Sequence, residues 1–270
     1  MRRLTALFVL LVAGPATGSA ADRLCDTAYE DCRTPLLELI RNEQVGVDVA
    51  FWFMEDARYT AALARKIAEG VPVRVLVDTR ANSSYPLNPD RLRELRDAGI
   101  PMRRRIASGI LHWKMMLFEG QNTVQFSAAN YTSAFVPIVA YDNYIDEVIY
   151  FTDDTGVVDS FRTKYDDLWT DETAYADYAN VVRPLTRRYP TTAKDPELNF
   201  PPRESYRNRA GARYDAETQA IDVTMYRITD RAHTDAMVRA LQRGVPVRLI
   251  TEPEQYRDRS RYWHSWNVDR

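Results

Sequence analysis

Residues Val47 to Asp78 align without gaps to Ile221 to Glu252 at a constant offset of 174, and eleven of the 32 positions are identical. Gly70-Val71-Pro72-Val73-Arg74 recurs as Gly244-Val245-Pro246-Val247-Arg248. A chain that carries one unit twice must fold it twice, so the architecture has to contain a repeat.

Each copy reads as strand, helix, strand. The apolar run Val45 to Met54 suits a buried strand, and Asp56 can cap the helix that follows, with Ala61, Ala62 and Ile67 on its apolar side. Gly70 ends that helix and Val73 to Val77 forms the next strand, the pattern of parallel strands joined by crossover helices. Asn88-Pro89 starts a further helix through Leu92 and Leu95 to Gly99, before a strand near Pro101 to Ile106. Val157, Val158, Phe161, Tyr165, Leu168 and Trp169 then fall at helical spacing, an aromatic stripe that belongs to a core. The expected fold is α/β, a mixed β-sheet flanked by helices. One complete lobe spans 22–186, a Pro- and Arg-rich linker 187–216, and the start of a second, repeated lobe 217–270.

Residues 1–21 read as a secretory signal peptide: Arg2 and Arg3, a short apolar run, then Gly18-Ser19-Ala20-Ala21. A secreted or periplasmic protein is expected. Cys25 and Cys32 are then an even pair in an oxidising compartment, so a local disulfide is favoured, and the absence of a nearby histidine argues against a metal site. The net charge of −2 lacks the basic excess of a nucleic-acid binder. Arg103-Arg104-Arg105 is either a local basic groove or solvated surface.

Three histidines and four lysines occur in 270 residues, so a chance H-x-K has a probability of about 4%. His112-Trp113-Lys114 is such a motif, followed by Met115 to Phe118, Glu119, and then GQNTVQFSAANYT with Ser127 and Asn130. This stretch resembles the signature of the phospholipase D superfamily, H-x-K, four residues, Asp, then G-S-x-N. Here Glu119 replaces the Asp, Phe126 stands where glycine is usual, and the Ser-to-Asn spacing is one residue longer.

The resemblance implies phosphodiester cleavage with His112 as the nucleophile that forms a phosphohistidine. Lys114 would supply charge to the phosphate oxygens, Ser127 and Asn130 would donate hydrogen bonds to them, and Glu119 would take the place of the motif Asp. No metal or other cofactor is implied. A carboxylate from Tyr144 to Phe151 should orient the nucleophile; Glu147 is favoured, with Asp146 the alternative because one slip of register exchanges their faces. His233 reads as surface, and His264, in Tyr262-Trp263-His264-Ser265-Trp266, as part of an aromatic patch.

Adding the offset of 174 to His112 places a second motif near position 286, whereas this sequence ends at Arg270. The chain therefore reads as a two-lobe enzyme cut before its second motif, weakly active or inactive alone. The expected substrate is a phospholipid headgroup, met at a membrane surface. A nuclease of the same superfamily and a non-catalytic phosphate-binding protein are the alternatives, with nucleic acid the less expected partner.

Overall fold

The computed structural model describes residues 22–133, 146–201, 204–258, 260 and 262–270. The segment read as a signal peptide lies outside these residues. The chain divides into two compact units, 1–195 and 196–270. Among the described residues, no helix is long and apolar enough to cross a membrane.

The first unit runs β1 (Arg23–Asp26), α1 (Arg33–Asn42), β2 (Val47–Phe51), α2 (Ala57–Ala68), β3 (Val73–Val77), α3 (Asn88–Asp97), β4 (Met102–Arg105), β5 (Lys114–Phe118), β6 (Thr123–Ser127), β7 (Val148–Thr152), α4 (Thr155–Thr170) and β8 (Tyr175–Ala179). Its eight strands form one sheet in the order β1-β7-β6-β5-β2-β3-β4-β8. β2, β3 and β4 are parallel and the remaining pairs antiparallel. Every residue of β2, β3 and β5 is buried, as expected of central strands covered on both faces.

One face carries Val47, Val49, Phe51, Val73, Val75, Met116 and Phe118, packed with Leu36, Ile40, Tyr59, Leu63, Leu92 and Leu95 of α1 to α3. The Asp56 side chain caps α2 by accepting from the Arg58 N–H, and Gly70, at φ +85°, ends it. The inward face of α2 is Tyr59, Thr60, Leu63 and Lys66, whereas Ala61, expected inside, is exposed. Lys66 tolerates burial because its ammonium donates to the carbonyls of Arg41 and Glu43, at 2.6 and 3.2 Å, where α1 ends.

α4 covers the other face, with Phe161 against Phe126 and the Tyr165 hydroxyl donating to the Val49 carbonyl. Arg74 makes a two-pronged bond to Asp48, at 2.8 and 2.7 Å, and reaches Asp166 at 2.9 Å. The stretch expected to begin a linker at 187 is folded against this cluster. The N–H groups of Arg188 and Tyr189 both donate to Asp166, and the Tyr189 hydroxyl and Arg188 guanidinium both donate to Asp48. Composition alone reads such a stretch as loose, but its polar groups are held by buried carboxylates.

The second unit runs α5 (Tyr206–Ala216), β9 (Ile221–Met225), α6 (Arg231–Gln242), β10 (Val247–Thr251), α7 (Pro253–Arg257) and α8 (Tyr262–Asp269). The end of the expected linker is thus the helix α5. β9 and β10 are parallel, in the same register as β2 and β3. The bounds of β9, α6 and β10 equal those of β2, α2 and β3 plus 174. Asp230 repeats the cap of Asp56, Gly244 the φ of Gly70, and Asp222 with Arg248 the pair of Asp48 with Arg74.

Candidate active site

His112 and Lys114 sit where the chain enters β5, beside the carboxyl ends of β2 and β3. Open α/β sheets bind ligands at that edge. The approach loop is pinned from β3: the Leu111 N–H donates to the Asp78 carboxylate at 3.0 Å, and Arg80, paired with that carboxylate, donates to the Gly109 carbonyl at 2.6 Å. Burial opposes ionisation of Asp78, but the bonds from Arg80 and Leu111 outweigh it and hold the carboxyl below its usual range. Asp78 therefore fixes the residue immediately before His112. No feature of the motif names it; the signal was its place at the last position of the repeat, at a parallel strand's carboxyl end.

Lys114 Nζ lies 2.8 Å from His112 Nδ1, 3.1 Å from Nε2 and 3.0 Å from the His112 carbonyl oxygen. Lys114 is 2% exposed, whereas His112 keeps an exposed side and has the Trp52 ring 5.8 Å away, centre to centre. Desolvation, then the Lys114 charge, pushes His112 down to about 4. Desolvation likewise pushes Lys114 down to about 7, opposed by the charge of Glu147. At neutral pH the imidazole is thus neutral, beside a lysine poised between its charged and neutral forms.

Glu147 precedes β7. Burial raises its carboxyl pKa, and Lys114 opposes that rise. Its charge favours the ammonium of Lys114, and the expected bond to the second ring nitrogen of His112 is not formed among the described residues. Among the described residues, Lys114 alone meets those ring nitrogens. Asp146, the alternative, is exposed.

Ser127 ends β6. Phe126 pairs with Met115, so the register carried one residue on sets Ser127 across from Lys114. The Ser127 hydroxyl donates to the Ala129 carbonyl at 3.1 Å, and the Asn130 side-chain oxygen is buried without a hydrogen-bond partner among the described residues. Phe126 faces the other way, stacked on Phe161 and edge-on to Tyr150, so the bulky residue at the glycine position packs against α4 and leaves the site open.

The structure does not bring Glu119 to the site. It follows the far end of β5, beside Gly46 and 3.9 Å from Arg188, with a pKa raised by burial. Five strand residues at about 3.3 Å each separate it from His112. Arg103 is no part of a basic groove either: it is fully buried and donates to the carbonyls of Trp169 and Tyr175. His233 is half-buried between the rings of Tyr206 and Tyr214. His264 is buried, and its Nδ1 accepts from the Ile228 N–H at 2.8 Å. The disulfide Cys25–Cys32 is formed. Among the described residues, no group of three or more His, Cys, Asp or Glu side chains is placed to hold a metal ion.

Residues 36–169 match a family described as cardiolipin synthase, PLD-like domain. The fold is similar to Nuc from Salmonella typhimurium, a phospholipase D family member, at 19% identity and a TM-score of 0.50 over 59% of this chain and 98% of that one. It is similar to phosphatidylserine synthase from Haemophilus influenzae at 15% identity and a TM-score of 0.64, over 86% of this chain and 62% of that one. Polyphosphate kinase from Porphyromonas gingivalis matches at 16% identity and a TM-score of 0.53, over 85% of this chain and 37% of that one. No curated protein matches.

Proposed function

This chain belongs to the phospholipase D superfamily, and on that premise we propose that it is a phosphodiesterase acting through His112. The observation that carries the proposal is the neutral imidazole of His112 held against the buried ammonium of Lys114.

A ring nitrogen of His112 attacks phosphorus, the new N–P bond forms as the P–O bond to the departing alcohol breaks, and a phosphohistidine results. Lys114 draws the non-bridging oxygens into the site and offsets their charge in the transition state. Ser127 and the amide of Asn130 complete the phosphate cradle from β6 and the turn after it. Water then cleaves the N–P bond and restores the imidazole. The departing alcohol needs a proton. His233 and His264 are engaged within the second unit, and the chain alone turns over slowly on unactivated esters.

The substrate we favour is a phospholipid headgroup, reached at a membrane surface outside the cytoplasm. The description of the matched family, the leader-like residues 1–21, the disulfide and the net charge of −2 support this reading. Assays against phosphatidylcholine and against plasmid DNA test it. Choline release without nicking of DNA is expected. DNA cleavage without choline release would replace the lipid by a nucleic acid, and binding of inorganic phosphate with no covalent chemistry would reduce the protein to a phosphate binder.

A further inference from the structure

The Cys25–Cys32 disulfide closes a short loop between β1 and α1, and both cysteines and Thr27 within it are fully buried. The loop is internally fixed. The Asp26 carbonyl accepts from the N–H groups of Tyr29 and Glu30, and its carboxylate accepts from Ala28. The Asp31 carboxylate accepts from the N–H groups of Arg33 and Thr34 at the start of α1.

From this rigid loop, contacts reach the backbone of Ser133 and of Glu147. Arg33 donates to the Ser133 carbonyl at 2.8 Å and pairs with Asp56 at 3.1 Å. Thr27 grips the backbone of Glu147 at three points. Its N–H and its hydroxyl donate to the Glu147 carbonyl at 3.1 and 3.2 Å, and its hydroxyl oxygen accepts from the Glu147 N–H at 3.1 Å. The ladder between β1 and β7 stops one residue earlier, at Asp26 and Val148. Thr27 therefore carries the pairing one residue further, to the backbone of Glu147.

We propose that the disulfide-closed loop is a clamp for the active site, in which Thr27 is a positioning residue that holds the backbone of Glu147 at the entry to β7, whose Ile149 pairs with Ser127 at the edge of the sheet where Lys114 lies. The inference rests on the phosphodiesterase reading for its consequence in catalysis, but not for the geometry. Released from Thr27, Glu147 loses its fixed backbone, and a carboxylate free to turn into water no longer favours the charged form of Lys114. His112 lies against Lys114 and the charge of Glu147 favours its ammonium, so the titration of Lys114 reports on that placement.

The chain has only four lysines, Lys66, Lys114, Lys164 and Lys194, so lysine side chains labelled with carbon-13 give four resolvable NMR titrations. The comparison is wild type, Thr27→Val, Thr27→Ser and the double variant Cys25→Ser with Cys32→Ser. Expected is a fall in the Lys114 midpoint of roughly 0.5 to 1 unit in Thr27→Val and in the double variant. Thr27→Ser, which keeps the hydroxyl, should retain the wild-type midpoint, and the other three lysines should not move. The alkaline limb of kcat/KM should shift with the Lys114 midpoint. An unchanged Lys114 titration in Thr27→Val, with Glu147→Gln shifting it, would overturn the clamp. Should Thr27→Val unfold, the double variant carries the same comparison. An inactive wild type with the predicted Lys114 shifts would refute the enzymatic reading and leave the clamp standing.

Discussion

Lys114 Nζ lies within 3.1 Å of both ring nitrogens of His112, and the two residues enter the sheet together at the head of β5. Burial, and then an ammonium so close, keep the imidazole unprotonated, and the same ammonium is itself half-released by burial. The pair is thereby poised for an anion that accepts from Lys114 while His112 attacks it.

The pH dependence of kcat/KM follows from these two groups. His112 must be neutral, so activity rises as pH climbs through about 4. Lys114 must be charged, so activity falls as pH climbs through about 7. A profile measured on an aryl phosphodiester should be a plateau between these limbs. A plateau extending unchanged to pH 9 would show that the charge of Lys114 is not required.

Replacing Lys114 by methionine should sharply lower activity and stabilise the fold. The folded pKa of about 7 lies below the ordinary 10.5, so the unfolded chain binds the proton more tightly. Stability therefore rises with pH between those values and is lower by the full penalty below about 7. Methionine fills the same buried space without charge, and a gain of about 1 to 3 kcal/mol is expected at pH 7. Urea unfolding from pH 6 to 10 checks both the gain and the loss of the pH slope; a variant less stable than wild type contradicts the account.

Two glutamates near β5 should behave oppositely to each other. Glu119→Gln is expected to leave kcat within about twofold, because the five residues of β5 lie between it and His112. Glu43 is buried, and its carboxylate accepts from the N–H groups of Gln44, Val45, Gly46, Gly120 and Gln121. Desolvation opposes its ionisation, yet these bonds win and its pKa is lowered. Its stabilisation is thus present above pH 4.5, the ordinary value, and lost as pH falls through the depressed one. Glu43→Ala should cost about 2 to 3 kcal/mol at pH 7 with unchanged kcat in the folded fraction. Denaturation curves and initial rates on both variants decide this.

The strands and helices of the repeat were legible because local signals agree: Asp56 and Asp230 as caps, Gly70 and Gly244 as stops, and an apolar run on each side. His112 and Lys114 were legible because both lie on one strand. Glu119 was misplaced by the motif, since spacing along a strand does not say that its two ends are far apart. The stretch from 187 looked loose because the residues that hold it, Asp48 and Asp166, are distant in sequence. Thr27 was invisible for the same reason: its partner Glu147 is 120 residues away. That the Glu147 carboxylate makes no bond to His112 among the described residues depends on side-chain placement that register alone leaves open.

The central claim is that His112 is the nucleophile, and it is tested most directly by trapping the intermediate. Bis(p-nitrophenyl) phosphate has a leaving group that departs without a proton, so the chain should be phosphorylated even where turnover is slow. The predicted result, read by mass spectrometry after rapid quenching in base, is one acid-labile p-nitrophenyl-phosphoryl adduct on His112, absent in His112→Ala and diminished in Lys114→Met. A label on any other residue, or one undiminished in His112→Ala, would contradict it.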